Sequence, residues 1–326
     1  MAVVRLAFVG AGHMARTHMR NALSIEEVEV VGVCDVDRGR AEEAAKIAGT
    51  KAFLSVDELI REGKPDAAVV SVPPFAHGEE VDLKLVRAGV NLFVEKPVAL
   101  SLEVAFRVLE ALRAKELVGA VGYHWRYWET TREAKWLLED KEVVFAGGTW
   151  QGGIYHPSWW RRREKSGGQV VEQTTHIFDL VRHLVGEIRR VYSLRRRGVV
   201  RDIPDYDIDD ATVVAMECGD GVPVVVTSTC VLDFGHKVGL SVVTPKMVVE
   251  VGMGRLSVIE SGHRLEKVAR NDPYADELRA FVEAVREGNP EGVLCPYDEG
   301  VKTLAATLAA IESAEEGRPL EVKGVT

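Results

Sequence analysis

The sequence predicts an α/β protein in which a doubly wound parallel sheet is followed by an α+β domain with a mostly antiparallel, open sheet. Three observations lead to this prediction. The chain has 326 residues, which suits two domains better than one core. Up to residue 122, short apolar runs alternate with helical patterns. From residue 123 on, apolar runs mostly follow one another across short turns. We therefore expect two domains, residues 1–122 and 123–326.

The N-terminal apolar runs show no polar alternation, which is typical of parallel strands buried on both faces. These runs cover residues 3–9, 28–33, 67–72, 90–94 and 118–121. The helical patterns between them cover residues 13–23, 38–47, 57–62, 77–88 and 102–115. Alternating strands and helices predict right-handed crossovers and a parallel sheet.

The second part of the chain predicts a helix at residues 129–138, a strand at 143–150 and a helix at 168–185. Six strand-like runs follow, at residues 191–197, 211–217, 222–232, 237–243, 247–251 and 255–259. The short turns between them favour antiparallel pairing. Helices at residues 273–286 and 297–316 end the pattern, and each is followed by glycine and proline stops.

The composition excludes several classes of partner. A net charge of −9 argues against binding to nucleic acid, and the sequence has neither a long apolar run nor a secretory signal pattern. We therefore expect a cytoplasmic protein without a membrane or nucleic-acid partner. The arginine runs 161–163 and 195–197 are either solvated surface charge or attract an anionic ligand. The four cysteines fit no metal or redox spacing, so they predict buried apolar side chains and no metal site: Cys34, Cys218, Cys230 and Cys295.

A glycine motif follows the first predicted strand and opens the first predicted helix. Gly10, Gly12 and Ala15 form the pattern G-x-G-x-x-A, an accepted form of the dinucleotide-binding fingerprint. Gly10 permits a tight turn, Gly12 lets the backbone approach a pyrophosphate, and Ala15 allows close packing of helix on strand. Free N–H groups at the helix N-terminus would face the phosphates. This context predicts a Rossmann domain that binds NAD(P).

An acidic residue ends the second predicted strand. Asp35 can accept hydrogen bonds from the ribose hydroxyls and repel a 2′-phosphate, which favours NAD. Arg38 lies close enough in sequence to bind a 2′-phosphate, so NADP remains possible; the alternative for Arg38 is a solvated residue of the first helical turn. Pro73 and Pro74 follow the third run and would form a rigid edge beside the nicotinamide, or else only a loop stop.

Two sets of residues are candidates for proton chemistry. Pro97 restricts Lys96 to extended geometry at the end of a strand, which directs the lysine toward the cofactor, although a surface lysine is the simpler interpretation. Glu172, His176 and Asp179 would share one face of the helix predicted at 168–185, either as a functional cluster or as the solvated face of that helix. A metal site is the weaker interpretation because no partner cluster accompanies them.

Taken together, the residues resemble the glucose–fructose oxidoreductase / inositol dehydrogenase / MocA family over essentially the full length. The resemblance rests on the glycine motif with His18 after it, on Pro73-Pro74-Phe75-Ala76-His77, on Glu95-Lys96-Pro97 and on the Gly-Gly…His176-x-x-Asp179 segment. It implies an oxidoreductase that transfers hydride between NAD(P) and a polyol or sugar.

The resemblance also implies roles. Lys96 would hydrogen-bond the reacting oxygen, and His176 would be the general base in oxidation. Glu172 stands where the family often has Asp and would orient the histidine or touch the substrate. The expected cofactor contacts are Gly10, Gly12, His13, Met14, Asp35, Arg38, Ser71, Pro73, Pro74, His77, Glu95 and Lys96. The expected substrate contacts are Tyr123, His124, Arg126, Tyr155, Trp160 and Asp179.

All six tryptophans lie between Trp125 and Trp160, where they would line a sugar-binding cleft or pack at a domain or subunit boundary. The apolar run 222–232 also predicts a homodimer or homotetramer through the C-terminal sheet.

Two alternative functions remain open: an NAD-dependent glycoside hydrolase or lyase that oxidises its substrate transiently, and a non-catalytic NAD-binding regulator.

Overall fold

The computed structural model describes residues 3–324, in which the chain forms two compact units. One comprises the chain up to His124 together with Asp272–Val301, and the other comprises Trp125–Asn271 and the chain from Lys302 onward. The first change of unit lies within two residues of the expected boundary. Residues 272–301, which were expected in the second domain, belong to the first unit. Their helix Pro273–Glu287 buries Leu278 and Phe281 in the same core as Phe8 and Met19.

The first unit is built on a six-stranded sheet. Its strands are β1 (Val4–Val9), β2 (Val28–Cys34), β3 (Ala52–Phe53), β4 (Ala67–Val70), β5 (Asn91–Val94) and β6 (Gly119–Val121). Their order is β3-β2-β1-β4-β5-β6, and every neighbouring pair is parallel. The predicted doubly wound parallel sheet is therefore confirmed. The strand order reverses between β1 and β4, the position where such sheets bind ligands beyond their carboxyl ends.

The helical segments that connect these strands begin and end within two residues of the predicted ranges, and Pro273–Glu287 joins the unit from the later part of the chain. The α-helices are His13–Ala22, Arg38–Ala48, Val56–Glu58, Lys84–Arg87, Leu102–Ala114 and Pro273–Glu287. Two π-helical turns, Leu59–Gly63 and Glu79–Leu83, and two 3₁₀ turns, Pro74–Ala76 and Pro290–Gly292, complete them. Side-chain caps begin several helices; Asp37 accepts from the backbone N–H of Arg40, and Ser101 from that of Val104.

The second unit is built on a nine-stranded sheet. Its strands are β7 (Phe145–Gln151), β8 (Ile188–Arg196), β9 (Ala211–Cys218), β10 (Val222–Thr229), β11 (Val238–Val243), β12 (Met247–Gly252), β13 (Arg255–Glu260), β14 (His263–Val268) and β15 (Leu320–Glu321). The order is β14-β13-β12-β11-β7-β10-β9-β8-β15, and only β7 and β10 pair in parallel. The mostly antiparallel open sheet is therefore confirmed. The α-helices beyond residue 124, apart from Pro273–Glu287, are Glu129–Leu138, Arg163–Ser166, Gln169–Glu172, Thr175–Leu184 and Tyr297–Glu316.

The helix expected over residues 168–185 is in fact two helices, Gln169–Glu172 and Thr175–Leu184. The first helix ends where the N–H of Thr174 reaches back to the carbonyl of Gln169, and the second begins at Thr175. Two adjacent threonines have low helix propensity because their branched side chains crowd the preceding turn. Glu172 is therefore not on the same helix as His176 and Asp179.

The four cysteines are buried and free, as predicted. Among the described residues, no helix has both the length and the hydrophobicity needed to cross a membrane.

Candidate active site

The turn after β1 requires glycine at its first position. Gly10 has a φ of +95°, and a Cβ placed there would lie 2.2 Å from the carbonyl oxygen of Ser71. Gly12 caps the helix His13–Ala22 with an ordinary backbone conformation, and a Cβ there would meet nothing within 4 Å. His13 is exposed and Met14 is half-buried at the start of this helix, which has no side-chain cap. Gly12 and the helix N-terminus thus leave room for a ligand phosphate.

Asp35 follows β2 and is bound to the glycine turn. Its carboxylate accepts hydrogen bonds from the backbone N–H groups of Ala11 and Asp37, each at 2.9 Å. Arg40 donates to the same carboxylate at 2.9 Å, and the Asp35 side chain is only 8% exposed. Arg38, the predicted alternative, is 70% exposed and pairs with Glu42. The arginine beside Asp35 is therefore Arg40 and not Arg38, which the sequence pattern did not indicate.

The loop after β4 lies at the same carboxyl edge of the sheet as the glycine turn. The N–H of Ser71 bonds to the carbonyl of Val9, and Pro74 opens the 3₁₀ turn Pro74–Ala76. Pro73 is partly buried in front of that turn. The imidazole of His77 is 1% exposed, and its Nδ1 lies 3.1 Å from Oδ1 of Asp82. This contact stabilises the loop from its buried side. A contact between the His77 side chain and a cofactor stays a prediction.

Glu95 and Lys96 follow β5 directly, at the carboxyl edge of the first sheet. The N–H of Glu95 bonds to the carbonyl of Val70, which extends the β4–β5 pairing by one residue. Glu95 is 7% exposed, and its carboxylate lies 2.6 Å from Nε2 of His18. Lys96, in contrast, is half-buried. Glu95 therefore faces the interior of the unit, and its predicted contact with the cofactor remains untested.

In the second unit, the imidazole of His176 lies near two indole rings. The Trp150 ring centroid is 5.8 Å from the imidazole centroid and the Trp125 centroid is 6.3 Å away, both at interplanar angles below 25°. His176 is 5% exposed and belongs to the helix Thr175–Leu184. The two indoles therefore lie beside the imidazole, and its low exposure leaves it little contact with water.

Glu172 contacts an indole as well. Its carboxylate accepts a hydrogen bond at 2.5 Å from Nε1 of Trp160. Trp160 is fully buried and packs with Ile208 and Cys230, so its predicted contact with substrate would require a rearrangement of this cluster. Tyr155, at 39% exposed, is more accessible than Trp160 to a substrate.

Arg126 and Asp179 bind each other. Nε and Nη2 of Arg126 donate to the two carboxylate oxygens of Asp179 at 2.9 and 2.8 Å, and Thr303 donates to the same carboxylate at 3.1 Å. Arg126 is 3% exposed and Asp179 is fully buried. The spacing of the sequence does not reveal this pair, because 53 residues separate its members. Their predicted contact with substrate stays a prediction.

Tyr123 and His124 are buried too. His124 stacks on Tyr274, with ring centroids 4.1 Å apart and an interplanar angle of 22°. Burial lowers the pKa of His124 to about 3, a decrease that nearby Lys96 and His18 reinforce and Glu95 opposes. The imidazole of His124 is therefore neutral at neutral pH in the folded protein. Tyr123 is 1% exposed.

Comparison with known proteins gives matches over most of the chain. A family model described as an oxidoreductase family with an NAD-binding Rossmann fold matches residues 4–123. A second model, described as the GFO/IDH/MocA C-terminal domain, matches residues 123–250. The two matches meet at residue 123, where the predicted domain boundary lies.

Two curated relatives match over nearly their whole length. The scyllo-inositol 2-dehydrogenase (NAD(+)) of Bacillus subtilis is 25% identical, over 98% of this chain and 96% of the relative. The myo-inositol 2-dehydrogenase of Thermotoga maritima is 24% identical, over 99% of both chains. Among solved structures, a levoglucosan dehydrogenase in complex with NADH superposes with a TM-score of 0.88 at 18% identity, over 97% of this chain and 98% of that chain. The solved structure has the same fold.

Proposed function

Because this chain belongs to the GFO/IDH/MocA family of oxidoreductases, with an NAD-binding Rossmann fold in its N-terminal part, we propose that it transfers hydride between a nicotinamide cofactor and a secondary alcohol or carbonyl group of a polyol or sugar. One observation supports this above the others. The glycine turn and Lys96 follow the carboxyl ends of β1 and β5, the two parallel strands on either side of β4, at the edge of the sheet where its strand order reverses.

The residues at the glycine turn fit a dinucleotide. The space beside Gly12 and the uncapped helix N-terminus would hold the pyrophosphate, and Asp35 would accept hydrogen bonds from the adenosine ribose. When bound, the nicotinamide supplies the hydride chemistry. The carboxylate of Asp35 favours NAD, while Arg40, already beside that carboxylate, makes NADP possible.

Lys96 and His176 would act on the substrate oxygen. Lys96 is half-buried at the end of β5, where an ammonium stabilises negative charge that develops on an alcohol oxygen. His176 would take the hydroxyl proton in oxidation and return it in reduction, because imidazole exchanges protons near neutral pH. The nearby indoles of Trp125 and Trp150 would limit the orientations of its ring, which favours a positioned base.

The substrate class is supported by the relatives named for inositol oxidation, since a cyclic polyol and a pyranose offer the same secondary hydroxyl groups. Tyr155, exposed near Trp159, would offer an aromatic face to such a ring. A cytoplasmic location is supported by four free, buried thiols, which suit a reducing compartment.

A homo-oligomer is supported by one face of the second sheet. Leu194 on β8 lies directly opposite Val213 on β9, and these side chains are 58% and 44% exposed. Tyr192, two residues along β8, is 38% exposed on the same face. An exposed apolar patch of this kind is typical of a subunit interface.

The test is an NADH-fluorescence assay of inositols, aldoses and sugar acids with NAD⁺ and NADP⁺. We expect stoichiometric formation of NADH with at least one of them. Lys96→Ala and His176→Ala should each lower kcat/KM by about 10² to 10⁴, whereas Lys141→Ala and His263→Ala, both at exposed positions, serve as matched controls. Full turnover by both site variants would contradict the proposal, and conversion of substrate without net NADH would favour the hydrolase or lyase alternative.

A further inference from the structure

The two arginine runs, residues 161–163 and 195–197, lie in the second unit and are mostly paired with acids. Four of the six side chains lie within ion-pair distance of a carboxylate: Arg162, Arg163, Arg195 and Arg197. A fifth, Arg196, is exposed at the end of β8. Neighbouring acids or water therefore account for these five charges, and they indicate no ligand.

Arg161 is the exception. Its side chain is partly buried, and among residues 3–324 no carboxylate lies within ion-pair distance of its guanidinium. Its Nε is closed off from solvent and has no acceptor, whereas its two Nη groups are open to solvent. An arginine side chain does not lose its charge in a protein. Arg161 therefore presents a positive charge that the described part of the chain does not neutralise.

The backbone of Arg161 is held by contacts on both sides. Its carbonyl accepts a hydrogen bond at 3.1 Å from the N–H of Asp207, whose carboxylate accepts one at 2.6 Å from the N–H of Arg163. The preceding residue, Trp160, is fully buried and packs with Ile208. The position of Arg161 is thus set before a ligand binds, which lowers the entropy that binding costs.

Arg161 also follows a residue that is joined to the segment carrying the proposed base. Nε1 of Trp160 donates a hydrogen bond at 2.5 Å to the carboxylate of Glu172. Glu172 lies four residues before His176, and the chain between them is helical except for a break at residues 173–174. A guanidinium anchored beside Trp160 would therefore lie at the side of the space where a substrate hydroxyl meets His176.

We propose that Arg161 binds an anionic group of the substrate, a carboxylate or a phosphate, so that acidic sugars are preferred to neutral polyols. This inference rests on the proposed function and names the substrate class of the same site. Both anions offer two oxygens at the spacing that suits two guanidinium N–H donors, and such charge-assisted pairs are strong. A neutral hydroxyl would leave the guanidinium without a counter-charge. Because the chain has a net charge of −9, an anion would be held by this local cation and not by the overall charge.

The first measurement needs no turnover. Phenylglyoxal modifies accessible guanidinium groups, and peptide mass spectrometry follows Arg161 and Arg162 in one digest. In the presence of NADH, glucuronate or glucose 6-phosphate at ten times its Kd should slow modification of Arg161 about tenfold. Modification of Arg162 should not change, and glucose should protect neither. Failure of both acids to protect Arg161, or equal protection by glucose, would overturn the proposal.

The second measurement compares kcat/KM for glucuronate and for glucose 6-phosphate with that for glucose. The wild-type protein should prefer at least one acid, and the two acids distinguish a carboxylate site from a phosphate site. Arg161→Met keeps the apolar stem and should remove this preference by a roughly 10- to 100-fold loss, mainly in KM, as expected for a hydrogen bond to a charged group. Its kcat with glucose should not change.

Arg162→Met is the matched control from the same loop. Nε of Arg162 is also buried without an acceptor, but its Nη groups already face Glu164 and Asp205. This variant should keep the preference for the acid, and an equal loss in both variants would overturn the proposal. NADH formation from neutral sugars alone would refute this inference and uphold the proposed function. Protection of Arg161 without NADH formation from any sugar would do the reverse.

Discussion

The substitution Gly12→Ala should weaken ligand binding and leave folding nearly unchanged, because the two glycines of the turn have different surroundings. A methyl group at Gly12 meets no protein atom within 4 Å, and the backbone there is ordinary for any residue. At Gly10 the same methyl group would lie 2.2 Å from the Ser71 carbonyl oxygen, in a backbone conformation with a φ of +95°. The methyl in Gly12→Ala therefore faces only the space that a pyrophosphate would fill.

The expected magnitudes follow from these contacts. Gly12→Ala changes a helix cap and should cost at most about 1 kcal/mol of stability. Overpacking against a bound group costs about 1–3 kcal/mol, so affinity for NADH should fall roughly ten- to hundredfold. Gly10→Ala places an alanine in the left-handed backbone region, which costs about 1–2 kcal/mol. Its methyl carbon would also lie about 1.3 Å closer to the Ser71 carbonyl oxygen than the roughly 3.5 Å that is optimal for a nonbonded contact. It should lower both stability and affinity.

The assay pairs NADH titration, followed by energy transfer from tryptophan, with differential scanning calorimetry of the same samples. We expect Gly12→Ala to melt near the wild-type temperature while binding NADH weakly, and Gly10→Ala to show a lowered melting temperature. Wild-type affinity in Gly12→Ala would refute the placement of the pyrophosphate. A lowered melting temperature in Gly12→Ala would refute the steric reasoning.

Four further changes have distinct outcomes. Arg126→Met leaves the buried Asp179 carboxylate without its bidentate partner and should lower the free energy of unfolding by about 3–5 kcal/mol in urea titrations followed by tryptophan fluorescence; a rise in KM alone would contradict this. Asp35→Asn releases Arg40 and should shift the ratio of NADPH to NADH affinity about tenfold toward NADPH, as measured by fluorescence titration. Leu194→Glu should shift sedimentation toward the monomer, and an unchanged sedimentation coefficient would exclude that face as the interface. Because burial lowers the pKa of His124 from 6.5 to about 3, unfolding takes up a proton in that range, so stability should fall as pH drops from 6.5 toward 3, and His124→Gln should flatten this dependence in urea titrations at several pH values.

The first sheet was readily predicted because its strands are continuous apolar runs separated by helices of ordinary length. Five of its six strands could be located in this way, and their predicted ends lie within two residues of the observed ones. The missing strand, Ala52–Phe53, is too short to carry any periodicity. In the second sheet, β14 escaped prediction because all six of its residues are exposed, so it has no buried face to mark it.

In the candidate site, local geometry was predictable wherever one residue type at one position has a local physical reason. Gly10 is such a case, because only glycine tolerates its φ and its distance from Ser71. Contacts between distant segments were not predictable, since spacing carries no signal for them. The pairing of Arg126 with Asp179 and the approach of Glu277 to His18 both depend on tertiary packing across many residues.

The proposed hydride transfer requires Lys96 and His176 to lie beside one bound nicotinamide. A crystal structure of the NADH complex tests this directly. We expect Nζ of Lys96 and the imidazole of His176 to border the same space in front of the hydride-bearing carbon. An ordered complex in which either group points away from that carbon, with no path for a substrate hydroxyl to touch both, would contradict it.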